Sequence, residues 1–261
     1  MKLQGKWLTI LLLVLILPLS GCGFIQKLRA RDALNKGVRA FTEQKYDQAS
    51  TYFEEAIRLD PSFKIPRTYL ATTYTSQFVP GSPDPKSQEM AQKAIQTFMG
   101  VLDLDKQNPD INSMVSIASL YYQLKDSEQS KAWCRKILEV DPNNAEALYR
   151  IAVIDFDDSL NKTGLQGENV EFLNSEEKTK ALEDIQEGLT ALDQALKIRP
   201  DYFDAMEYQN LLWREKAKFE KDEKVKNELL RQADMVAQKA LALRLKAQEE
   251  EAKKPKKLGT K

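Results

Sequence analysis

The chain has 261 residues, enough for one or two domains with a real core; 30% are charged, while glycine and proline are sparse. Lys and Arg balance Asp and Glu at 39 each, which argues against a dedicated nucleic-acid binder, since phosphate affinity rests on clustered cations. There is no histidine. That removes Ser-His-Asp and Cys-His nucleophilic sites, histidine-ligated zinc and the commonest general base at neutral pH.

Lys2 and Lys6 precede an apolar run from Trp7 to Leu19, interrupted by Thr9 and Pro18. As helix this run spans about 20 Å, short of the roughly 30 Å hydrocarbon core, so a signal peptide fits better than a membrane span. It closes at Leu19-Ser20-Gly21-Cys22, which resembles the lipobox of bacterial lipoproteins. The resemblance implies that residues 1–21 are a signal peptide that is cut away. The Cys22 sulfur would carry a diacylglycerol, often with acylation of the new amine. Two or more acyl chains hold a protein stably on a bilayer where one does not. Gly23 rather than Asp follows the cysteine, which under the sorting rule of enteric bacteria implies the periplasmic face of the outer membrane. Residues 22–29 read as a short tether: Phe24 and Ile25 are expected to graze lipid, and Lys27, Arg29 and Arg31 to meet headgroups. The other cysteine, Cys134, forms no CxxC pair, so no disulfide framework is on offer.

Beyond the tether the chain repeats itself. TEQKYDQASTYFEEAIRLDPS from Thr42, SKAWCRKILEVDPNNAEALYRIA from Ser130 and GLTALDQALKIRPDYFDA from Gly188 each run helically into a D-P or R-P step. Small residues at Gly37, Ala71, Ala118 and Ala152 let one helix approach its partner closely, and large residues at helical spacing fill the gaps. Such helix pairs bury their apolar stripes only by stacking on neighbours. The pattern resembles the tetratricopeptide repeat (TPR), a helix–turn–helix unit. In the first repeat the matching residues are Gly37, Tyr46, Ala49, Phe53, Ala56 and Pro61, with Lys36 in place of the usual leucine. Leu70, Ala71, Tyr74, Ala94 and Phe98 mark the second; Ile117, Ala118, Tyr121, Ser130, Cys134, Ile137 and Pro142 mark the third. Leu148, Ile151, Ala152, Leu192, Ala195 and Pro200 mark the fourth, and Phe203 to Trp213 with Ala233, Ala237 and Ala240 the fifth. The resemblance implies an all-α right-handed superhelix, a solenoid of about five repeats over residues 30–248, ending in a charged, disordered tail, 249–261.

Two insertions interrupt the period. QFVPGSPDPKSQ, Gln77 to Gln88, carries three prolines and cannot be helical throughout. The other spans about Asp158 to Thr179 and includes NKTGLQGEN. Both fall between the first (A) and second (B) helix of a repeat, which the stack would bring to one rim. The acidic segment Asp155 to Gly164 lacks the glycine and the terminal glutamate of an EF-hand, and no metal is expected there.

TPR arrays typically bind peptides or helices along a concave face lined by A helices. Mapped onto this chain, that face offers Phe41, Tyr122, Gln123, Tyr149, Phe156 and Arg214 as partner-binding candidates, with Arg31, Asn112, Asp157 and Glu215 as polar ones. Aromatic residues and arginine are the types enriched in interaction hot spots. The positions of the Lys/Asn/Arg carboxylate clamp known in some TPR domains hold mostly Thr, Ser, Gln and acids. The resemblance therefore implies a membrane-anchored interaction scaffold in the bacterial envelope, similar to pilotin-like assembly factors or protease adaptors. Its partners would be envelope proteins and the membrane, not nucleic acid, with no cofactor and no catalytic residue. The alternative is a glycan- or peptidoglycan-binding, or weakly hydrolytic, module using carboxylates such as Asp155, Asp157, Asp158 and Glu168.

Overall fold

The computed structural model describes residues 4–253, with side chains from residue 23 onward. The expected acylation of Cys22, the side chains of the signal segment and the end of the basic tail lie outside the described residues.

Among the described residues the chain is all-helical and divides after Leu124 into two compact units. The first unit holds α1 (Gln4–Thr42), α2 (Tyr46–Leu59), α3 (Lys64–Gln77), α4 (Pro85–Leu102) and α5 (Ile111–Gln123). The second holds α6 (Ser127–Val140), α7 (Ala145–Thr163), a 3₁₀ turn (Val170–Phe172), α8 (Ser175–Ile198), α9 (Phe203–Lys218) and α10 (Glu223–Lys253). Among the described residues no helix is long and apolar enough to cross a membrane. Residues 22–29, read as a tether, are the continuous backbone of α1 rather than a separate linker, and 249–253 extend α10 instead of belonging to a disordered tail. The Glu and Lys residues at i, i+4 spacing there favour helix.

Within the first unit α1 pairs with α2 and α3 with α4, while α2 also packs on α3. The close approach of α1 and α2 rests on Gly37: a Cβ built there would lie 2.5 Å from Phe53 Cε1. Phe53 is fully buried and stacks on Tyr69 at 5.4 Å between ring centroids. Gln44 closes α1 with φ 58, and its amide and that of Lys45 donate to Phe41 and Ala40 carbonyls. This is the two-bond helix stop that glycine usually occupies. Caps start the later helices: Asp84 accepts from Lys86 N ahead of Pro85, and Asp110 from Ser113 N.

In the second unit α7 pairs with α8 and α9 with α10, and α7 also packs on both α6 and α9. Asp126 and Asn144 cap α6 and α7, and Asn174 with Glu177 forms a full capping box on α8. Gly188 marks where α8 crosses α7 and α9, since a Cβ there would lie 2.7 Å from Leu212 and 3.2 Å from Asp155. The small and large residues picked out by the repeat pattern fill these cores. Ala49, Ala56, Ala71, Ala94, Ala118, Cys134, Ala152, Leu192, Ala195 and Ala233 are all fully buried. Cys134 is a free, buried thiol whose pKa burial pushes up to about 11, so it is inert packing.

The first insertion is a loop between α3 and α4, folded back by Ser87, whose hydroxyl receives the Val79 amide at 2.8 Å. Much of the second is not loop. Helix α7 runs on to Thr163 and α8 begins at Ser175, so both ends of the inserted segment are helical. The reason is tertiary. The extra turns of α7 carry no apolar stripe, but Thr163 donates to buried Glu215 on α9 at 2.8 Å. Ser159 also donates to Glu215, at 3.4 Å. Lys218 closes the arrangement, bonding Glu215 at 2.5 Å and the Gly164 carbonyl at 2.7 Å. Glu215, mapped as a polar groove candidate, is thus an internal strut.

Candidate functional site

In the second unit α6 and the α7/α8 hairpin enclose a charged centre. Lys131 on α6 is almost completely buried, and its ammonium lies 2.5 Å from Asp155 on α7. It also lies 2.8 Å from Glu187 and 3.5 Å from Asp184, both on α8. The three carboxylates are close enough together to hold a metal ion, but the cation at their centre is the lysine itself. Arg135 supports Glu187 at 2.6 Å; Lys180 and Lys162 support Asp184 at 2.8 and 3.4 Å. Burial works against the charge on Lys131, yet Asp155 and Glu187 hold its pKa above the ordinary lysine value. Burial likewise opposes ionisation of Asp184 and Glu187, but their basic neighbours hold both below the usual range. Asp155 is the exception: it is fully buried, its Oδ2 has no hydrogen-bond partner, and burial outweighs Lys131 to push its carboxyl up to about 7.

The same α7 presents aromatic rings toward α9. Tyr149 lies 5.1 Å from Tyr202 and 5.4 Å from Tyr208, and Phe156 lies 5.7 Å from Tyr208, the last two contacts edge-to-face. Tyr202 closes one end: its hydroxyl donates to Glu146 at 2.7 Å and the Arg199 guanidinium covers its ring. Tyr149, Phe156 and Tyr208 remain only half-buried, so the ladder keeps an open side. Carboxylates flank it. Burial first, then Tyr208, Asp204 and Glu146, push the Tyr149 phenol up to about 12; burial, then Asp157, Asp204 and Glu207, raise that of Tyr208.

Of the sequence-predicted residues, the structure brings Tyr149 and Phe156 together, joined by Tyr208, which the sequence reading missed. Arg214 instead spans α9 and α10, reaching Asp234 at 2.5 Å and Asn210 at 2.9 Å. Phe41, half-buried, packs against the first unit's core cluster, edge-on to Tyr46 at 5.7 Å and Tyr69 at 6.4 Å. Tyr122 is half-buried on α5, and Gln123 donates to Ser119 at 3.1 Å. Arg31 and Asn112 are exposed. The carboxylates of the hydrolytic alternative are separately employed: Asp155 in the lysine centre, Asp158 accepting from Ser127 at 2.8 Å, and Glu168 accepting from the Gln166 amide.

Lys131, Asp184 and Glu187 were also missed. Lys131 lies next to a core position (Ser130) within the α6 stripe, a register that alone hints at burial, whereas its partners lie 24 and 53 residues away in sequence. A further hollow of about 680 Å³ opens beside the lysine centre, lined by Ser127, Asp158, Asn161, Lys162, Lys180 and Asp184 among others.

Helical hairpins with glycine-mediated close contacts define the class, a helical-repeat protein. Residues 34–63 and 111–144 match the family model of the tetratricopeptide repeat, so the chain carries such repeats. No curated protein matches the chain. Among solved structures it is similar to MamA, with a TM-score of 0.56 and 14% identity over 89% of this chain and 98% of that one. It is similar to MamA 41-end from Desulfovibrio magneticus RS-1, with a TM-score of 0.56 and 14% identity over 84% and 96%. It is also similar to YrrB, a TPR protein with an unusual peptide-binding site, with a TM-score of 0.50 and 15% identity over 83% and 90%. At these identities the likeness is one of fold.

Proposed function

We propose that this chain is a lipid-anchored interaction module of the bacterial envelope, held at the periplasmic face of the outer membrane through Cys22. Its working surface is the α7/α9 aromatic ladder, which takes a peptide or helix of a protein partner. The observation that carries the binding surface is the open side of Tyr149, Phe156 and Tyr208, rings that meet edge-to-face in one row with Asp157, Asp204 and Glu207 nearby. Aromatic side chains lose little entropy on docking and supply large contact area. The flanking acids favour partners carrying Lys or Arg, which can also pair with the ring faces. Peptide binding by a structurally similar TPR protein, YrrB, supports the reading, as does the repeat family itself. The lipobox-like Leu19–Cys22 and the apolar run before it support the anchor. Partners of the pilotin-like or protease-adaptor kind fit such a placement.

The test is crosslinking in cells followed by affinity purification, comparing the wild type with Phe156→Ala/Tyr208→Ala. A partner recovered with the wild type and lost in the variant supports the reading, provided circular dichroism shows the variant folded. If the same partners survive the double change, the ladder is not the binding surface. The mass of the N-terminal peptide decides the anchor separately.

A further inference from the structure

The outward side of α1 changes character along its length. Ala30, Ala33, Gly37 and Ala40 form its buried side, against α2. At 100° per residue, Phe24, Ile25 and Leu28 fall on the opposite side. They are 65%, 56% and 48% exposed, so this apolar face serves no internal packing. One turn further on, the same side carries Arg31, Asp32, Asn35 and Lys36 and is polar.

Charge sharpens the picture. The first 31 residues contain no Asp or Glu, and at 100° per residue Lys27 and Arg31 fall on one flank of the apolar patch and Arg29 on the other. All three are exposed and make no ion pair among the described residues, while the first acid, Asp32, is taken by Lys36 at 2.8 Å. Apolar residues and unpaired cations next to one another are the composition of a helix that lies at a bilayer interface, rings and aliphatics below the headgroups and cations among the phosphates. A protein partner would more often offer carboxylates among apolar contacts, and nothing in this patch selects for such a shape. The patch also begins two residues after Cys22, where an acyl anchor would hold it against lipid.

We propose that residues 24–31 form a lipid-contacting collar for an anionic bilayer surface, in addition to the acyl chains. The collar inserts Phe24, Ile25 and Leu28 and sets Lys27, Arg29 and Arg31 on headgroup phosphates, and so fixes how α1 and its unit meet the membrane. This rests on the anchor reading above for its geometry. Each cation contributes about fivefold in partitioning and the three together about a hundredfold, a gain that salt and neutral lipid remove.

The test places a nitroxide label on the purified full chain at Phe24→Cys, Leu28→Cys or Asn35→Cys, reconstituted into phosphatidylglycerol-containing vesicles. Collision with oxygen and with a water-soluble nickel chelate then reads depth. The expected result is that labels at 24 and 28 are shielded from nickel and open to oxygen, while the label at 35 is open to nickel. In Lys27→Glu/Arg29→Glu/Arg31→Glu the labels at 24 and 28 should move toward water by at least severalfold in nickel accessibility. Labels at 24 and 28 as nickel-accessible as the one at 35 would overturn the proposal, as would shielding unchanged by the triple charge reversal. Mass spectrometry of the Cys22 peptide judges acylation independently. Absence of acyl chains sinks the anchor reading, and the labels then still decide the collar.

Discussion

Replacing Lys131 by methionine keeps the length of the side chain and removes the charge at the centre of three acids. The neighbours do not suffer equally. Asp184 keeps Lys180 and Lys162, and Glu187, partly exposed, keeps Arg135. Asp155, fully buried, has no other ion-pair partner among the described residues. Removing one partner of a buried pair costs about 3–5 kcal/mol, and with two of the acids still served the lower end, about 3 kcal/mol, is expected. That is a large part of the 5–15 kcal/mol typical of a domain. Urea denaturation followed by the fluorescence of Trp133 and Trp213, both in the second unit, measures it. The loss should be larger at pH 8 than at pH 5, because the stranded Asp155 takes up a proton as pH falls. Lys131→Met/Asp155→Leu should recover much of the loss, since an apolar replacement of both partners leaves no unpaired buried charge, Asp184 keeping Lys180 and Lys162. A loss below about 1 kcal/mol at pH 8, or a double variant no more stable than the single one, would refute the reasoning.

Asp155→Asn tests the raised carboxyl. The unfolded carboxyl ionises near 3.9 and the folded one at about 7, so between these values the folded chain holds the extra proton. Relative to the Asn variant, wild type should therefore lose stability as pH rises through this window, by about 1.4 kcal/mol per unit, and level off above it. A pH-independent difference between the two denaturation curves would contradict this. Gly37→Ala drives a methyl into the Phe53 ring and should lower stability by about 1–3 kcal/mol despite alanine's better helix propensity, read as a drop in thermal midpoint by circular dichroism. Gln44→Gly should do the reverse, gaining about 0.5 kcal/mol. It relieves the left-handed strain at φ 58, partly offset by the looser unfolded chain. An unchanged or lower midpoint would remove that account of the α1 stop.

The hairpins were legible because their cause is local. Gly37 and Phe53 face each other across a single turn and the prolines directly follow the B helices, so spacing alone reveals them. The polar turns from Asp158 to Thr163 were read as part of an insertion because they lack apolar periodicity. What makes the helix there is Glu215, more than fifty residues away. The same limit explains the groove candidates. Repeat position places Phe41 and Phe156 alike and both are half-buried, but only the tertiary packing shows that Tyr46 and Tyr69 flank the first and Tyr208 the second. Lys131 went unnoticed for a related reason: its three acids come from two other helices.

The central claim is that the α7/α9 ladder is the working surface. The most direct test is a photo-crosslinking amino acid placed at Asp157, beside the ladder, and at Gln186, on the exposed side of α8, with both chains expressed in cells and adducts read by mass spectrometry. The account expects a discrete protein adduct at 157, mapped to a segment rich in Lys or Arg, and none at 186. An adduct at 186 with none at 157 would contradict it.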